Sequence, residues 1–100
     1  MKMAVAPITQ KFAEALNEKF EGKEVTAMSG RKFDRVVIAY PGESSSRSVH
    51  AFVERETGKV FKAAGWKAPA KNARYDLNTD ESFAQTVELA DPFGGYLYQR

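Results

Sequence analysis

Two alternating runs on either side of a short gap containing glycine constrain this chain more than any other feature. In residues 48–54, Val49, Ala51 and Val53 alternate with His50 and Phe52; after Thr57-Gly58 the run 59–63 returns with Val60 and Phe61. β-Branched and aromatic residues suit a pleated, half-buried surface, and a glycine in the gap supplies the turn. The pattern predicts an antiparallel hairpin. On its returning arm Lys59, Phe61 and Ala63 share one face, and Val60 and Lys62 the other.

The flanking segments extend this unit in both directions. Residues 33–40, with Val36, Val37, Ile38 and Tyr40, read as a strand. Residues 23–28 read as a shorter one, with Val25 and Ala27 on one face and a turn at Ser29-Gly30. Pro41-Gly42 and Ser44-Ser45-Ser46 form a polar loop between strands. Before the strands, Ile8, Phe12, Leu16 and Phe20 recur every four residues and predict an amphipathic helix over 7–21. Pro7 suits its first turn and Gly22 its end. After the strands, Pro69 ends the extended run in a loop anchored by Trp66. Thr79 or Asp80 then caps a helix over 81–89 that buries Phe83, Val87 and Leu89. Asp91-Pro92 ends it, and Tyr96, Leu97 and Tyr98 form a terminal strand or a tail packing back.

These elements predict one α+β domain over residues 1–100. An N-terminal helix packs on a three- to four-stranded antiparallel β-meander, followed by a short C-terminal helix. A chain of 100 residues, 43% hydrophobic, buries a modest core without cross-links.

Several chemistries are excluded or left unsupported. The chain has no cysteine and one histidine, which rules out disulfides, a thiolate nucleophile and zinc fingers. No metal or organic cofactor is expected. No run approaches the ~20 apolar residues that span a bilayer, and no apolar run of leader length follows Lys2, so a soluble, unexported chain is expected. Phosphate-loop spacing is absent. His50 lies about 13 Å along its strand from Glu54, too far for a catalytic hydrogen bond, and reads as a sheet-face histidine beside Phe52.

The net charge of +2 is unevenly spread. Residues 31–74 carry ten basic residues against four acidic ones, while residues 75–100 carry five acidic residues against Arg100. Within the basic stretch, cations and aromatics interleave at Lys59, Lys62, Trp66, Lys67, Lys71 and Arg74, a combination that neutralises phosphates and stacks on bases. The alternation of Lys59 and Lys62 between faces works against a single patch.

The string Val49-His50-Ala51-Phe52-Val53, then residues 57–71 beginning Thr57-Gly58-Lys59-Val60-Phe61-Lys62 and including Gly65-Trp66-Lys67-Ala68-Pro69-Ala70-Lys71, then Arg74, resembles a segment of short uncharacterised tailed-bacteriophage proteins. It covers about a quarter of the chain and brings no assigned activity or catalytic residue. The resemblance implies a product acting in the cytoplasm of an infected bacterium.

The function expected is therefore a non-enzymatic accessory protein that binds nucleic acid through the basic strand and the Trp66 loop. The alternative is a protein-binding module acting on a host enzyme or defence protein through Glu88, Asp91, Tyr96 and Tyr98, since aromatics anchor interfaces. A third reading is a structural protein that pairs as a homodimer.

Overall fold

The predicted hairpin forms the centre of a larger sheet. A computed structural model describes residues 4–40, 47–92 and 94–98. The order is α1 (Pro7–Lys19), β1 (Glu24–Met28), β2 (Phe33–Ala39), β3 (Arg47–Glu54), β4 (Lys59–Lys62), β5 (Tyr75–Asp76), α2 (Asp80–Leu89) and a 3-10 turn at Gly95–Leu97. The strands lie in sequence order, each antiparallel to the next. The sheet thus has five strands rather than three or four. The addition is β5, whose two residues pair as Lys59↔Asp76 and Val60↔Tyr75. The serine loop falls outside the described residues.

At the hairpin, Gly58 donates its N–H to the Glu54 carbonyl at 2.8 Å and has φ +70°. A Cβ there would also lie 2.9 Å from Asn78 Oδ1, so conformation and space both call for glycine.

Register sorts the side chains. The pairs Val25↔Ile38, Ala27↔Val36, Val36↔Ala51 and Val53↔Val60 share the face toward the helices. There they meet Phe12, Ala13, Leu16 and Phe20 of the first helix and its C-cap. α1 stops at Lys19, shorter than the pattern predicts. Phe20 donates its N–H back to Leu16, and Gly22 takes φ +76°. Asn17 Oδ1 reaches down to accept the outward N–H of Val25, on the sheet edge, at 2.9 Å.

α2 is capped by Thr79, whose side chain accepts from Ser82 N–H. Phe83 meets Phe12 edge to face at 6.2 Å. Leu89, expected inside, is 50% exposed, and Thr86 is buried instead. At 3.6 residues per turn Leu89 lies about 240° around from Phe83, whereas Thr86, Val87 and Ala90 continue its inward stripe. Lys19 donates to the carbonyls of Val87 and Glu88 at 2.7 and 2.6 Å, bringing a cation to the end of α2, whose last turn has none.

The expected alternation fails at one point. Val36 pairs with Ala51 but Val37 with Val49, leaving His50 as the extra residue of a β-bulge. His50 therefore joins Ala51 on the helix side, 5.7 Å from the Phe20 ring, and does not share a face with Phe52.

Asp34 is fully buried where α1, the β1–β2 turn and the β3–β4 hairpin meet. Its carboxylate accepts from Ala6 N at 2.9 Å, Gly30 N at 3.2 Å and Arg55 Nη1 at 2.5 Å, while Arg55 Nη2 donates to the Ala4 carbonyl. Removing one partner of a buried ion pair costs about 3–5 kcal/mol, because the other charge stays behind unmatched. Asp34→Ala should lose that amount in urea unfolding and Asp34→Asn less; a loss under about 1 kcal/mol for the alanine variant would show the cluster to be incidental.

Candidate nucleic-acid interface

On the face away from the helices, alternation brings forward Phe33 and Arg35 of β2, Phe52 of β3, and Lys59 and Phe61 of β4. The pairs Arg35↔Phe52 and Phe52↔Phe61 align them across three strands. Phe33 meets Phe52 at 6.2 Å and Phe61 at 5.4 Å, both with ring planes at 87°. Arg35 holds its guanidinium 5.7 Å from the Phe52 centroid, and the Lys32 ammonium lies 5.6 Å from that of Phe33. Such contacts favour cations against ring faces.

A loop folds toward the same face. Ala63 bridges to Pro69, and the N–H groups of Ala64 and Gly65 both donate to the Ala68 carbonyl, leaving Trp66 and Lys67 at the tip. Arg35 Nε donates to the Trp66 carbonyl at 2.5 Å. The loop is thus anchored through the backbone of Trp66, and the residue remains 47% exposed. Between loop and sheet lies a pocket of ≈180 Å³, with Phe33, Phe52 and Pro69 as apolar walls and Arg31, Lys32, Arg35 and Lys67 around them. Among the described residues no carboxylate lines it. On this face of the sheet Glu54, opposite Phe33, pairs with Lys32 at 3.8 Å and accepts from the Thr57 hydroxyl.

The six residues singled out from sequence do not form one patch. Lys67 lines the pocket, Trp66 precedes it at the loop tip, and Lys59 shares the face of Phe61. Lys62 lies on the opposite face, its ammonium 4.7 Å from the Tyr98 ring centroid. Arg74 is committed to the fold: Nε donates to the Leu97 carbonyl at 2.7 Å and Nη1 to the carbonyls of Lys71 and Asn72. The Lys71 side chain is exposed, while its carbonyl receives that bond. Arg31, Lys32, Phe33, Arg35 and Phe52 escaped the sequence reading. The signal for them was the period of the 33–39 strand, which needs the β2–β3 register before it points anywhere.

The residues of the alternative interface divide similarly. Asp91 accepts the N–H groups of Gly95 and Tyr96 at 3.1 and 3.0 Å, shaping the last turn. Tyr96 bonds His50 Nε2 through its hydroxyl at 2.7 Å, and its ring stacks on the imidazole at 5.5 Å. Glu88 is exposed and Tyr98 is 63% exposed. A wider cleft of ≈720 Å³ opens here between Arg74, Tyr75, Leu89, Asp91, Tyr96 and Tyr98. Its polar groups are largely spent within the protein: Tyr75 donates to the Tyr96 carbonyl, and Arg74 and Tyr96 are bound as above.

Burial pushes His50 down from 6.5 to about 4, against the opposing pull of Asp91 and a hydrogen bond to the Pro92 backbone. Burial, then the charges of Asp91 and Tyr75, push Tyr96 above its ordinary range. Both are neutral near pH 7. A carbonyl can only accept, so the imidazole N–H faces Pro92, Nε2 accepts, and Tyr96 donates to it. The pair fastens the C-terminal segment to the bulge.

Residues 2–99 match the family of unknown function DUF7717. The chain belongs to that family. No curated protein and no solved structure shows significant similarity to it. Among the described residues no group of three or more histidines and acids is placed to hold a metal ion, and no helix is long and apolar enough to cross a membrane.

Because the unfolded chain binds the histidine proton more readily than the folded one, His50 lends stability that is complete above pH 6.5. That contribution drains away as pH falls toward 4, by about 3 kcal/mol in all. The urea midpoint of the native protein should therefore fall more steeply between about pH 7 and about pH 4.5 than that of His50→Phe. Parallel profiles would mean that His50 takes up its proton without strain.

Proposed function

We propose that this protein binds nucleic acid, without catalysing a reaction, through the helix-free face of its sheet. The observation that carries the reading is the convergence of Arg31, Lys32, Arg35 and Lys67 on phenyl rings in one pocket, beside an exposed tryptophan. Cations supply the phosphate contacts that dominate such affinity, and aromatic surface supplies contacts to bases. Lys59 extends the basic face along β4. The resemblance to phage proteins agrees with an accessory product working in a bacterial cytoplasm.

A second reading, a protein-binding module acting on a host protein, draws support from a different place. Leu89 and Tyr98, two of the exposed large apolar residues, flank the same ≈720 Å³ cleft with Glu88 close by in sequence. Exposed aromatics of this kind anchor interfaces.

Fluorescence anisotropy with labelled single- and double-stranded DNA and RNA, across a salt series, separates the two. Affinity should fall linearly on logarithmic axes with added salt, and Arg31→Glu with Lys67→Glu should flatten the slope by about 1.4 to 1.8, two phosphate contacts' worth. Lys62→Glu, on the opposite face, should change it far less. Absence of binding at low salt removes nucleic acid and leaves the cleft beside Tyr98 as the surface to pursue.

A further inference from the structure

We infer that the pocket under the Trp66 loop takes one unpaired nucleobase, which makes the partner a single strand rather than a duplex. The inference rests on the nucleic-acid reading and goes further, to the form of the nucleic acid and the atoms that meet it.

The pocket's size sets the first limit. At ≈180 Å³ it is smaller than the ~300 Å³ at which sites for whole organic ligands begin, so it fits a single planar group attached to something outside. Its lining sets the second. Phe33 and Pro69 offer partly exposed apolar surface over Phe52, which is 2% exposed and closes the floor beneath them. Inorganic phosphate has no use for that surface, and a purely apolar group has no use for four cations. An aromatic ring bearing an anionic tether answers to both, and a nucleotide within a strand is such a group.

Arg35 is already held in place. Its Nε is fixed on the Trp66 carbonyl and its guanidinium plane lies near Phe52, so little freedom is lost when a ring arrives beside it. The same bond holds the backbone of Trp66, the chain neighbour of the pocket's Lys67, and the exposed tryptophan is there to stack on a neighbouring base. Within a duplex, base faces are occupied by their neighbours above and below. Only an unpaired strand can turn a base aside into a pocket and lay the next on an indole.

The test uses three probes of one length, ~16 nucleotides, near the upper site size of small single-strand binders. They are labelled oligothymidylate, the same sugar–phosphate chain made abasic, and a blunt duplex. Wild-type protein should bind the oligothymidylate at least about tenfold more tightly than either other probe, with Trp66 emission quenched by that probe alone. As the chain has a single tryptophan, the signal is unambiguous. Trp66→Ala, at an exposed loop tip, should bring oligothymidylate affinity down toward that of the abasic chain and leave abasic affinity unchanged. Phe33→Leu, which keeps an apolar side chain but removes the ring, should act in the same direction. Equal binding of abasic and base-bearing strands, or tighter binding of the duplex, overturns the base pocket while leaving the nucleic-acid reading in place. No binding of any probe at low salt overturns both.

Discussion

Asp34 stands buried at the meeting point of three segments that are distant in sequence, and its carboxylate binds a part of each. Ala6 brings the entrance of α1, Gly30 the turn before β2, and Arg55 the hairpin after β3. A carboxylate withdrawn from water needs such partners, and each partner is thereby held in position. Strand alternation turns this into a constraint on the opposite surface. With Asp34 pointing toward the helices, Phe33 and Arg35 must point away, and a slip of one residue would exchange them. The basic aromatic face follows from where one acid is hidden.

A second fastening works at the other end of the chain. The bulge in β3 turns His50 inward, where it accepts the Tyr96 hydroxyl, while Arg74 holds the Leu97 carbonyl and Tyr75 that of Tyr96. The C-terminal segment has little regular structure, yet side chains from β3, from β5 and from the residue before β5 tie it down. Residues that look like surface chemistry in a linear reading, Arg74, Asp91 and Tyr96, are used here for architecture.

This division explains what was legible. Periodicity revealed α1, the hairpin and the approximate extent of α2, because those patterns are local and carried by large apolar residues. The start of α2 was readable to within a residue, Thr79 or Asp80 as its cap, and Thr79 is the one that caps. β5 was not, since Tyr75-Asp76 is too short to show alternation and exists only through pairing with Lys59 and Val60. The bulge at His50 leaves no local mark either; it is a mismatch between two strands and belongs to neither alone. At the candidate site, Trp66 and Lys67 were found by proximity in sequence. The same criterion drew in Lys62 and Arg74, which geometry sends elsewhere. Arg35 and Phe52 needed the opposite information, a register between strands with no sequence proximity at all.

The bond from Asn17 to the amide of Val25 has a further consequence. β1 is an outer strand, and an outer strand offers free backbone groups to any other chain that can extend. Here a helix side chain has already taken one of the outward amides of a five-residue strand. A foreign strand pairing along that border would have to dislodge Asn17 to reach the amide of Val25. At the far border β5 offers only two residues. The sheet is hemmed on both sides, one by a side chain and the other by brevity, and its growth into neighbouring molecules is opposed without a single proline or charged residue turned inward on either outer strand.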